Sequence, residues 1–359
     1  MNPRERFHRI MRFKEVDRLP IFEVESYEEE TLQRWRGEGL PIGVDIRDYL
    51  GLDEYEYVPV DFFWIPRFVP QTLEEDKKYK VVITDLGIKA KISKERPTLV
   101  YSYLEHPVKS RDDWEEMKSR LDPSDTRRFS KYWGDELLEY YKTVDHPIGL
   151  LIHPFFFRLG QFLMGTQRFL ISFFRDPDMV HDMFSFYANF VIRLVGGWID
   201  KTKIDFVSIA EDLAYKHGTH ISPRIYQEFW LPYEKKVIKF LRDHGINIII
   251  LWSSGNIKPL MPLFLEAGFN CFMPLENAAG INALDLRNEY GKKVLLIGNI
   301  AKEALIKGKK AIKKEVLSKI PLIEEGGYMP TVDDMMPPEV SFQNYVYYIN
   351  LLKKLKINQ

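Results

Sequence analysis

From residue 147 onward the sequence alternates between short apolar runs of strand length and longer stretches of helical periodicity. The apolar runs predict strands at 147–153, 206–212, 246–252, 271–276, 294–299 and 327–333. Helices are predicted near 176–201, 222–244, 259–267, 282–290, 302–319 and 341–355. Such alternation is typical of parallel strands joined by crossover helices. This part of the chain is therefore predicted to form an α/β fold around a parallel sheet.

Two further strands are predicted before this region, at 19–23 and, more weakly, at 58–63. They raise the predicted total to eight, which indicates a closed (β/α)8 TIM barrel; an open doubly wound sheet is the alternative. No G-x-G-x-x-G segment follows a predicted strand, which disfavours an open sheet that binds dinucleotides. We predict a single barrel domain over residues 1–359.

The N-terminal half adds two features to the predicted barrel. Asn2, Pro3 and Glu5 have the order of a helix cap, a first-turn proline and a capping box, so a helical extension is predicted there. An insertion is predicted at about 65–145. Within it, alternating residues on both sides of 85–87 predict a β-hairpin, and helices are predicted near 110–121 and 132–142.

Charge and cysteine content exclude several classes of function. The formal net charge is −1, which gives no long-range attraction to nucleic acid or to an anionic membrane. Cys271 is the only cysteine, so neither an intramolecular disulfide nor a site built from several cysteines can form. No apolar run is long enough to span a bilayer, and no secretory signal is recognised. We expect a cytoplasmic protein that acts on a small molecule.

Polar residues gather where the predicted strands end, which is the functional face of a (β/α)8 barrel. These candidate site residues are Glu23, Asp61, His153, Glu211, Asp212, Trp252, Ser254, Glu276, Asn299, Asp333 and Asp334.

Strand alternation gives Asp212 a direction. Val207 and Ile209 share one face of the fourth strand and are expected to pack against helices, whereas Ala210 and Asp212 share the other face. Asp212 is thus predicted to point into the barrel mouth and Glu211 to turn away. Asp212 is the first candidate for general acid–base catalysis, and the others are Glu211, Asp333 and Glu276. The alternative for each is a structural cap or an ion pair.

A set of short motifs runs through the chain in a fixed order. They are N-P-R-E-R-F at 2–7, D-R-L-P at 17–20, I-S-P-R at 221–224, F-W-L-P-Y at 229–233, S-G-N-I at 254–257, P-L-E at 274–276, I-G-N-I at 297–300, G-G-Y at 326–328, P-P at 337–338 and N-Y at 344–345. This set resembles the uroporphyrinogen decarboxylase superfamily, in the branch that includes cobalamin-linked methyltransferases. The resemblance implies a (β/α)8 barrel with a funnel-shaped site, often in a homodimer.

One of these motifs and one further segment extend the list of substrate-binding candidates. Asn256 lies in the S-G-N-I motif, and Tyr215 and Lys216 end the segment E-D-L-A-Y-K at 211–216. That segment resembles a signature of an uncharacterised branch of the superfamily.

The sequence departs from the tetrapyrrole decarboxylases of the superfamily. They have an arginine-rich R-Q-A-G-R segment after the first strand, where this chain has Glu23 and Glu25. Because arginines pair with substrate carboxylates and glutamates repel them, we expect no activity on uroporphyrinogen. Asp61 is the nearest match to the aspartate that holds the pyrrole N–H groups, without its flanking motif.

It also departs from the methyltransferases, whose zinc ligands lie in an H-x-C-G motif after the fifth strand. Trp252 and Ser254 stand in this motif here, and neither supplies the ligand that the family uses. We therefore expect no family zinc site and no tightly bound cofactor.

Three functions follow from the resemblance. The favoured one is methyl transfer that involves a small substrate and a corrinoid carried by a partner protein. The alternative is removal of a carboxyl group from a tetrapyrrole or a smaller acid, as in porphyrin metabolism. The third is a non-catalytic homologue that binds a ligand.

Overall fold

A computed structural model describes residues 1–23, 27–95 and 100–355. Its strands are β1 Glu56–Tyr57, β2 Gln71–Glu75, β3 Tyr79–Ile83, β4 Lys89–Ser93, β5 Val100–Glu105, β6 Ile148–Ile152, β7 Phe206–Ala210, β8 Ala214–Tyr215, β9 Gly218–Thr219, β10 Ile249–Trp252, β11 Cys271–Met273, β12 Leu295–Ile297 and β13 Tyr328–Met329.

The helices cover most of the remaining described chain. They are α1 Pro3–Ile10, α2 Glu29–Gly37, α3 Ile46–Leu50, α4 Arg111–Lys118, α5 Asp135–Thr143, α6 Phe156–Met164, α7 Thr166–Arg175, α8 Pro177–Gly196, α9 Pro223–Ile225, α10 Leu231–Asp243, α11 Met261–Ala267, α12 Ala283–Tyr290, α13 Lys302–Lys307, α14 Lys309–Ser318, α15 Ile320–Glu325 and α16 Phe342–Lys354. One π-helical turn, Tyr226–Trp230, joins α9 to α10.

Seven parallel strands form the main sheet, in the order β1-β6-β7-β10-β11-β12-β13. The order of these strands in the sheet is their order in the sequence. Helices lie between consecutive strands, as the alternating pattern predicts. The α/β fold with a parallel sheet is therefore confirmed. The six strands predicted from residue 147 onward all form, and each is shorter than its apolar run.

The sheet curls around an apolar interior. One cluster of buried side chains contains Phe206 of β7, Ile250 of β10, Met273 of β11, Ile297 of β12 and Met329 of β13. Phe7, Ile10 and Met11 of α1 join this cluster. The capping box predicted at Asn2 and Glu5 is present and starts α1. The predicted N-terminal helix thus packs into the interior of the sheet.

The predicted first strand does not form a ladder. The Ile21 carbonyl accepts a hydrogen bond from the Asp53 amide at 2.8 Å, and the Ile21 amide donates to the Asp53 carboxylate at 2.8 Å. A side chain thus takes the place of a strand partner, and Arg6 and Arg18 neutralise its charge. The strand predicted at 58–63 is not formed either: β1 ends at Tyr57, and Val60 makes only an isolated antiparallel bridge to Phe129. The described residues therefore contain a main sheet of seven strands, and closure of the predicted barrel by an eighth is not seen among them.

A second sheet lies in the predicted insertion. β2, β3, β4 and β5 form a four-stranded antiparallel sheet in sequence order. Tyr79 pairs with Ser93 and Ile83 pairs with Lys89, so the predicted hairpin is confirmed. Within the described ranges, no helix has the length and apolar character needed to cross a membrane.

Candidate functional site

A cleft opens where β6, β7 and β10 end. It has a volume of about 260 Å³ and is lined by Leu151, His153, Arg158, Ala210, Glu211, Asp212, Trp252 and Ser254. We call it the mouth cleft. Five of the predicted site residues are therefore brought together at the carboxyl ends of adjacent parallel strands, where barrel enzymes hold their active sites.

Asp212 takes an unusual backbone conformation in this cleft. Its φ of 56° lies in the left-handed region, which residues other than glycine seldom adopt, although aspartate and asparagine tolerate it best. The amide of the next residue, Leu213, donates to the Ser253 hydroxyl at 3.0 Å and helps to fix this turn. Leu275 and Asn299 share this conformation outside the cleft, so it is the strain together with the place of Asp212 in the cleft that marks it as a candidate.

The carboxylate of Asp212 forms an ion pair with the guanidinium of Arg158. The two side chains are 36% and 33% exposed, so both remain accessible from the cleft. Arg158 also donates to the side-chain oxygen of Gln161 at 3.2 Å. Because the ion pair is half-exposed, its net stabilising contribution is small, and a ligand can compete for either partner.

The orientation of β7 explains why Asp212 reaches the cleft. Val207 and Ile209 are buried in the outer core with the helices, as the alternation predicts. Ser208 lies on the inner face, where its hydroxyl is 3.1 Å from the hydroxyl of Tyr57. The inward face of β7 thus continues from the apolar interior to Asp212 at the mouth.

His153 faces the same ion pair and is held neutral at pH 7. Burial, followed by the nearby charge of Arg158, lowers its pKa to about 4, while Asp212 opposes the shift. Its ring makes edge contacts with Phe63 at 5.4 Å and Phe162 at 6.1 Å. Its buried Nδ1 has no hydrogen-bond partner among the described residues. A neutral imidazole can donate or accept a hydrogen bond but carries no charge here.

Glu211 is turned away from the ion pair, as predicted. It is fully buried and accepts hydrogen bonds from the Phe157 amide at 2.7 Å and the Trp230 indole at 3.1 Å. Burial and the nearby carboxylate of Glu234 raise its pKa well above the usual value. Trp230 ends the π-helical turn, a local form that often lies at functional sites. Glu211 therefore ties together the elements behind the cleft.

Asp61 lies in an adjoining cleft of about 540 Å³, which shares Leu151 and His153 with the mouth cleft. Its carboxylate pairs with Arg67 at 2.8 Å and accepts a hydrogen bond from the Phe63 amide at 2.9 Å. Asp61 is thus near His153 but is already engaged by its own arginine.

Asn299 lies outside both clefts and is fully buried. Its amide group donates to the carbonyls of Leu275 at 2.7 Å and Ile281 at 3.0 Å. Its side-chain oxygen accepts from the Ala283 amide at 3.0 Å and from Lys319 Nζ at 2.7 Å. Since every donor and acceptor of the side chain is used, Asn299 has a structural role here and is not available to a substrate.

Asp333 and Asp334 also lie outside the clefts. Asp333 is fully buried, and its carboxylate accepts from the amides of Asn277 at 2.8 Å and Lys302 at 3.0 Å. Burial raises the pKa of Asp333. Asp334 pairs with the side chain of Lys302. Both aspartates therefore contact Lys302 at the start of α13, and neither lines the mouth cleft.

Glu276 and Asn256 support the loop after β10. Glu276 accepts a hydrogen bond from the Gly255 amide at 2.9 Å, and the Asn256 side chain accepts from the Lys258 amide at 3.2 Å. Gly255 has φ +82°, and a Cβ there would lie 2.6 Å from the carbonyl carbon of Ala214. This loop thus needs glycine, and Glu276 holds it in place beside the cleft.

Glu23 is buried, 2% exposed, and accepts a hydrogen bond from the Tyr348 hydroxyl at 3.3 Å. It does not line the mouth cleft, so it cannot itself repel a substrate bound there. Glu25 lies outside the described residues. The expectation that these glutamates face a substrate therefore requires correction for Glu23, whose carboxylate faces tyrosines of the core.

The hairpin β8–β9 follows Asp212 directly. Tyr215 and Lys216 are exposed on it, and the Tyr215 ring is 5.3 Å from the ring of His220. His220 stacks on Phe157 at 5.2 Å, and burial lowers its pKa. The charges of Asp212 and Arg158 both act on His220, so it lies close to the ion pair. Sequence analysis missed His220 and Arg158, since neither ends a predicted strand.

The donor set does not fit the zinc site of the methyltransferase branch. Trp252 stands where that branch has its histidine, and its side chain lines the mouth cleft. Among residues 1–23, 27–95 and 100–355, no three His, Cys, Asp or Glu side chains are grouped to hold a metal ion. Cys271 is fully buried in the interior, and burial raises the pKa of its thiol.

The fold and the cleft together define a TIM-barrel-like α/β protein with its candidate active site at the carboxyl ends of the strands. The family model for uroporphyrinogen decarboxylase (URO-D) matches residues 81–355. The chain therefore belongs to the uroporphyrinogen decarboxylase family, and the resemblance inferred from its motifs is confirmed.

Two solved structures are similar to this chain. A methyltransferase from Methanosarcina mazei is similar over 98% of both chains, with a TM-score of 0.64 and 15% identity. A B12-independent methionine synthase from Shewanella sp. W3-18-1 is similar over 93% of both chains, with a TM-score of 0.40 and 11% identity. No curated protein matches the chain significantly. The first of these structures supports the fold of the whole chain.

Proposed function

We propose that this protein is an enzyme that transfers a methyl group to or from a small substrate, in concert with a corrinoid-carrying partner protein. The observation that carries the proposal is the mouth cleft, which places one accessible carboxylate, one guanidinium and one neutral imidazole in about 260 Å³. Such a cleft suits a small substrate that must be oriented and must exchange a proton.

The size of the mouth cleft suits a small reacting group. Pockets that bury drug-sized ligands measure roughly 300–1,000 Å³, so a tetrapyrrole could not be held by the mouth cleft alone and would have to extend into the adjoining clefts. The arginines of the mouth and of its neighbouring cleft, Arg158 and Arg67, already pair with Asp212 and Asp61. At these two arginines, a substrate carboxylate would have to compete with both aspartates.

The chemistry assigned to the chain's own residues is proton transfer and positioning. Asp212 accepts the proton of a substrate O–H, N–H or S–H group as that heteroatom takes the methyl group, and it returns the proton in the reverse direction. Arg158 holds the Asp212 carboxylate in its position before reaction. His153, neutral at pH 7, hydrogen-bonds without adding charge, and Trp252 forms an apolar wall.

A corrinoid on the partner protein would supply or accept the methyl group. A zinc-bound thiolate takes no part in this proposal, because the residues at the family's zinc motif do not fit it. The similarity in fold to a methyltransferase over the whole chain supports the proposed class.

The test uses methylcobalamin and a panel of small thiols, amines, phenols and alcohols. Loss of the methylcobalamin absorbance spectrum, together with a methylated product in mass spectrometry, is the expected result for the wild type. D212N should lower the rate by about 100-fold or more, since Asn cannot take the proton. D243N changes an exposed aspartate paired with Lys239 and serves as the control. Decarboxylation of uroporphyrinogen at an ordinary enzymatic rate, without demethylation of methylcobalamin, would contradict the proposal.

A further inference from the structure

A third and larger cleft lies beside the mouth cleft, between the end of the antiparallel sheet and helices α6 and α7. Its volume is about 720 Å³. Its lining contains five cationic side chains, Lys109, Arg111, Arg158, Arg168 and Arg175, and the single acidic residue Asp176. We call it the basic cleft. Such an excess of positive charge in a concave surface concentrates anions.

The cations of the basic cleft fall into two groups. Arg111 pairs with Asp176 and Lys109 pairs with Glu105, so their charges are compensated. The ion pairs of the described residues include neither Arg168 nor Arg175. Arg168 donates one hydrogen bond, to the Lys109 carbonyl at 3.0 Å, and keeps the rest of its guanidinium free.

The two uncompensated arginines are placed to act together. Arg168 and Arg175 are seven residues apart on α7, so they lie on nearly the same face, about 10 Å apart along the axis. Both are exposed and both line the basic cleft. Guanidinium groups in this arrangement can hold carboxylate or phosphate oxygens in paired hydrogen bonds.

Arg158 connects the two clefts, because it lines both of them. A ligand can therefore place an anionic group in the basic cleft while its reacting group lies beside Asp212. Phe162 and Ile171 line the basic cleft between polar residues and offer apolar contacts to the body of such a ligand.

We propose that the basic cleft is an anion-binding subsite, in which Arg168 and Arg175 hold a phosphate or carboxylate group of the substrate. This proposal rests on the proposed function for the identity of the ligand as a substrate. Phosphate and carboxylate share the chemistry that two guanidinium groups recognise, and the experiment distinguishes them.

The test measures binding of inorganic phosphate and, separately, of acetate by isothermal titration at constant ionic strength. Four proteins are compared: wild type, the double variant R168Q/R175Q, R193Q and D212N. Arg193 is an exposed arginine of α8 outside the basic cleft, so R193Q controls for loss of charge. Circular dichroism confirms that each variant is folded.

We expect at least one of the two anions to bind to wild type, R193Q and D212N, and to bind about tenfold or more weakly to R168Q/R175Q. The anion that shows this loss identifies the group as phosphate or carboxylate. If neither anion binds, or if the double variant binds as tightly as the wild type, the proposal is overturned.

The two proposals fail in different ways. Absence of methyl transfer with anion binding intact would overturn the proposed function and leave the subsite in place. Methyl transfer with an unchanged KM in R168Q/R175Q would overturn the subsite as part of substrate binding and leave the proposed function in place.

Discussion

Glu234 is a buried carboxyl group whose ionisation should control how the stability of the protein depends on pH. It lies on α10, is fully buried, and accepts a hydrogen bond from the hydroxyl of Tyr226. Its Oε1 has no hydrogen-bond partner among the described residues. Burial raises its pKa from 4.5 to about 8, and the Tyr226 hydroxyl opposes this shift. We predict that E234Q stabilises the protein at neutral and alkaline pH.

The sign follows from proton binding. Because the pKa of Glu234 is higher in the folded state, the unfolded chain releases this proton first, and stability falls as the pH rises from about 4.5 to about 8. The Gln variant has no proton to release. For a shift from 4.5 to about 8, its advantage is about 1 kcal/mol at pH 5, about 3 kcal/mol at pH 7 and about 5 kcal/mol at pH 9.

A second effect has the same sign. Glu234 is one of the causes that raise the pKa of Glu211, so at alkaline pH, where both carboxyl groups ionise, its replacement by a neutral amide removes their repulsion. Glutamine has nearly the shape of a protonated glutamate, so E234Q preserves packing and keeps an acceptor for the Tyr226 hydroxyl.

The measurement is urea unfolding at pH 5, 7 and 9, followed by tryptophan fluorescence. The matched control is E228Q, which changes an exposed glutamate in the adjoining π-helical turn and should alter stability little. The reasoning would be refuted if the difference in free energy of unfolding between E234Q and the wild type were the same at all three pH values. It would also be refuted if E234Q were less stable than the wild type at pH 9.

Three other predictions concern single residues. D212N should leave the free energy of unfolding within about 1 kcal/mol of the wild type in urea unfolding, because asparagine tolerates the left-handed backbone and the ion pair with Arg158 is half-exposed; a loss of stability in step with activity would make Asp212 structural. N299A should lower the free energy of unfolding by about 3 kcal/mol in the same assay, because it leaves buried partners unpaired; a change under about 1 kcal/mol would contradict the structural role. Elemental analysis should find no stoichiometric zinc in the wild type or in C271A, because the thiol is buried in the interior; a bound zinc that is lost in C271A would contradict this.

The direction of Asp212 could be predicted from sequence because a strand has a strict period of two. Val207 and Ile209 need apolar surroundings, and the helices outside the sheet provide them. Once those two residues are placed, the opposite face carries Ser208 and Ala210 and leads to the mouth. β7 ends at Ala210, so the period of two stops before Asp212, and the left-handed turn at Asp212 completes its placement in the cleft.

The position of a residue at a strand end does not determine whether its side chain is free. Asn299 and Asp333 both follow strands of the sheet, yet their polar atoms are used by backbone amides, backbone carbonyls and Lys319. These partners come from loops that are distant in sequence. The periodicity of the sequence predicts where a strand ends, but it does not predict which distant segment packs against that end.

The helices α6 and α7 explain most of what sequence analysis missed at the site. Both helices are rich in aromatic and aliphatic residues, and α6 directly follows the apolar strand β6. Their helical periodicity is therefore hard to distinguish from the apolar run of the strand. Arg158 on α6, and Arg168 and Arg175 on α7, were missed with them. These arginines line the basic cleft, so the charge of the site was underestimated together with its helices.

The ion pair at the mouth depends on two short segments being joined next to it. The Glu211 carboxylate accepts a hydrogen bond from the Phe157 amide. Asp212 directly follows Glu211 in sequence, and Arg158 directly follows Phe157. A buried hydrogen bond between one pair of neighbours thus brings the other pair together in the cleft, where their side chains form the ion pair. Glu211 is fully buried and its replacement would leave an unpaired amide, so we infer that its role is to position the ion pair. The adjacent glutamate and aspartate therefore serve one site from opposite faces of the chain.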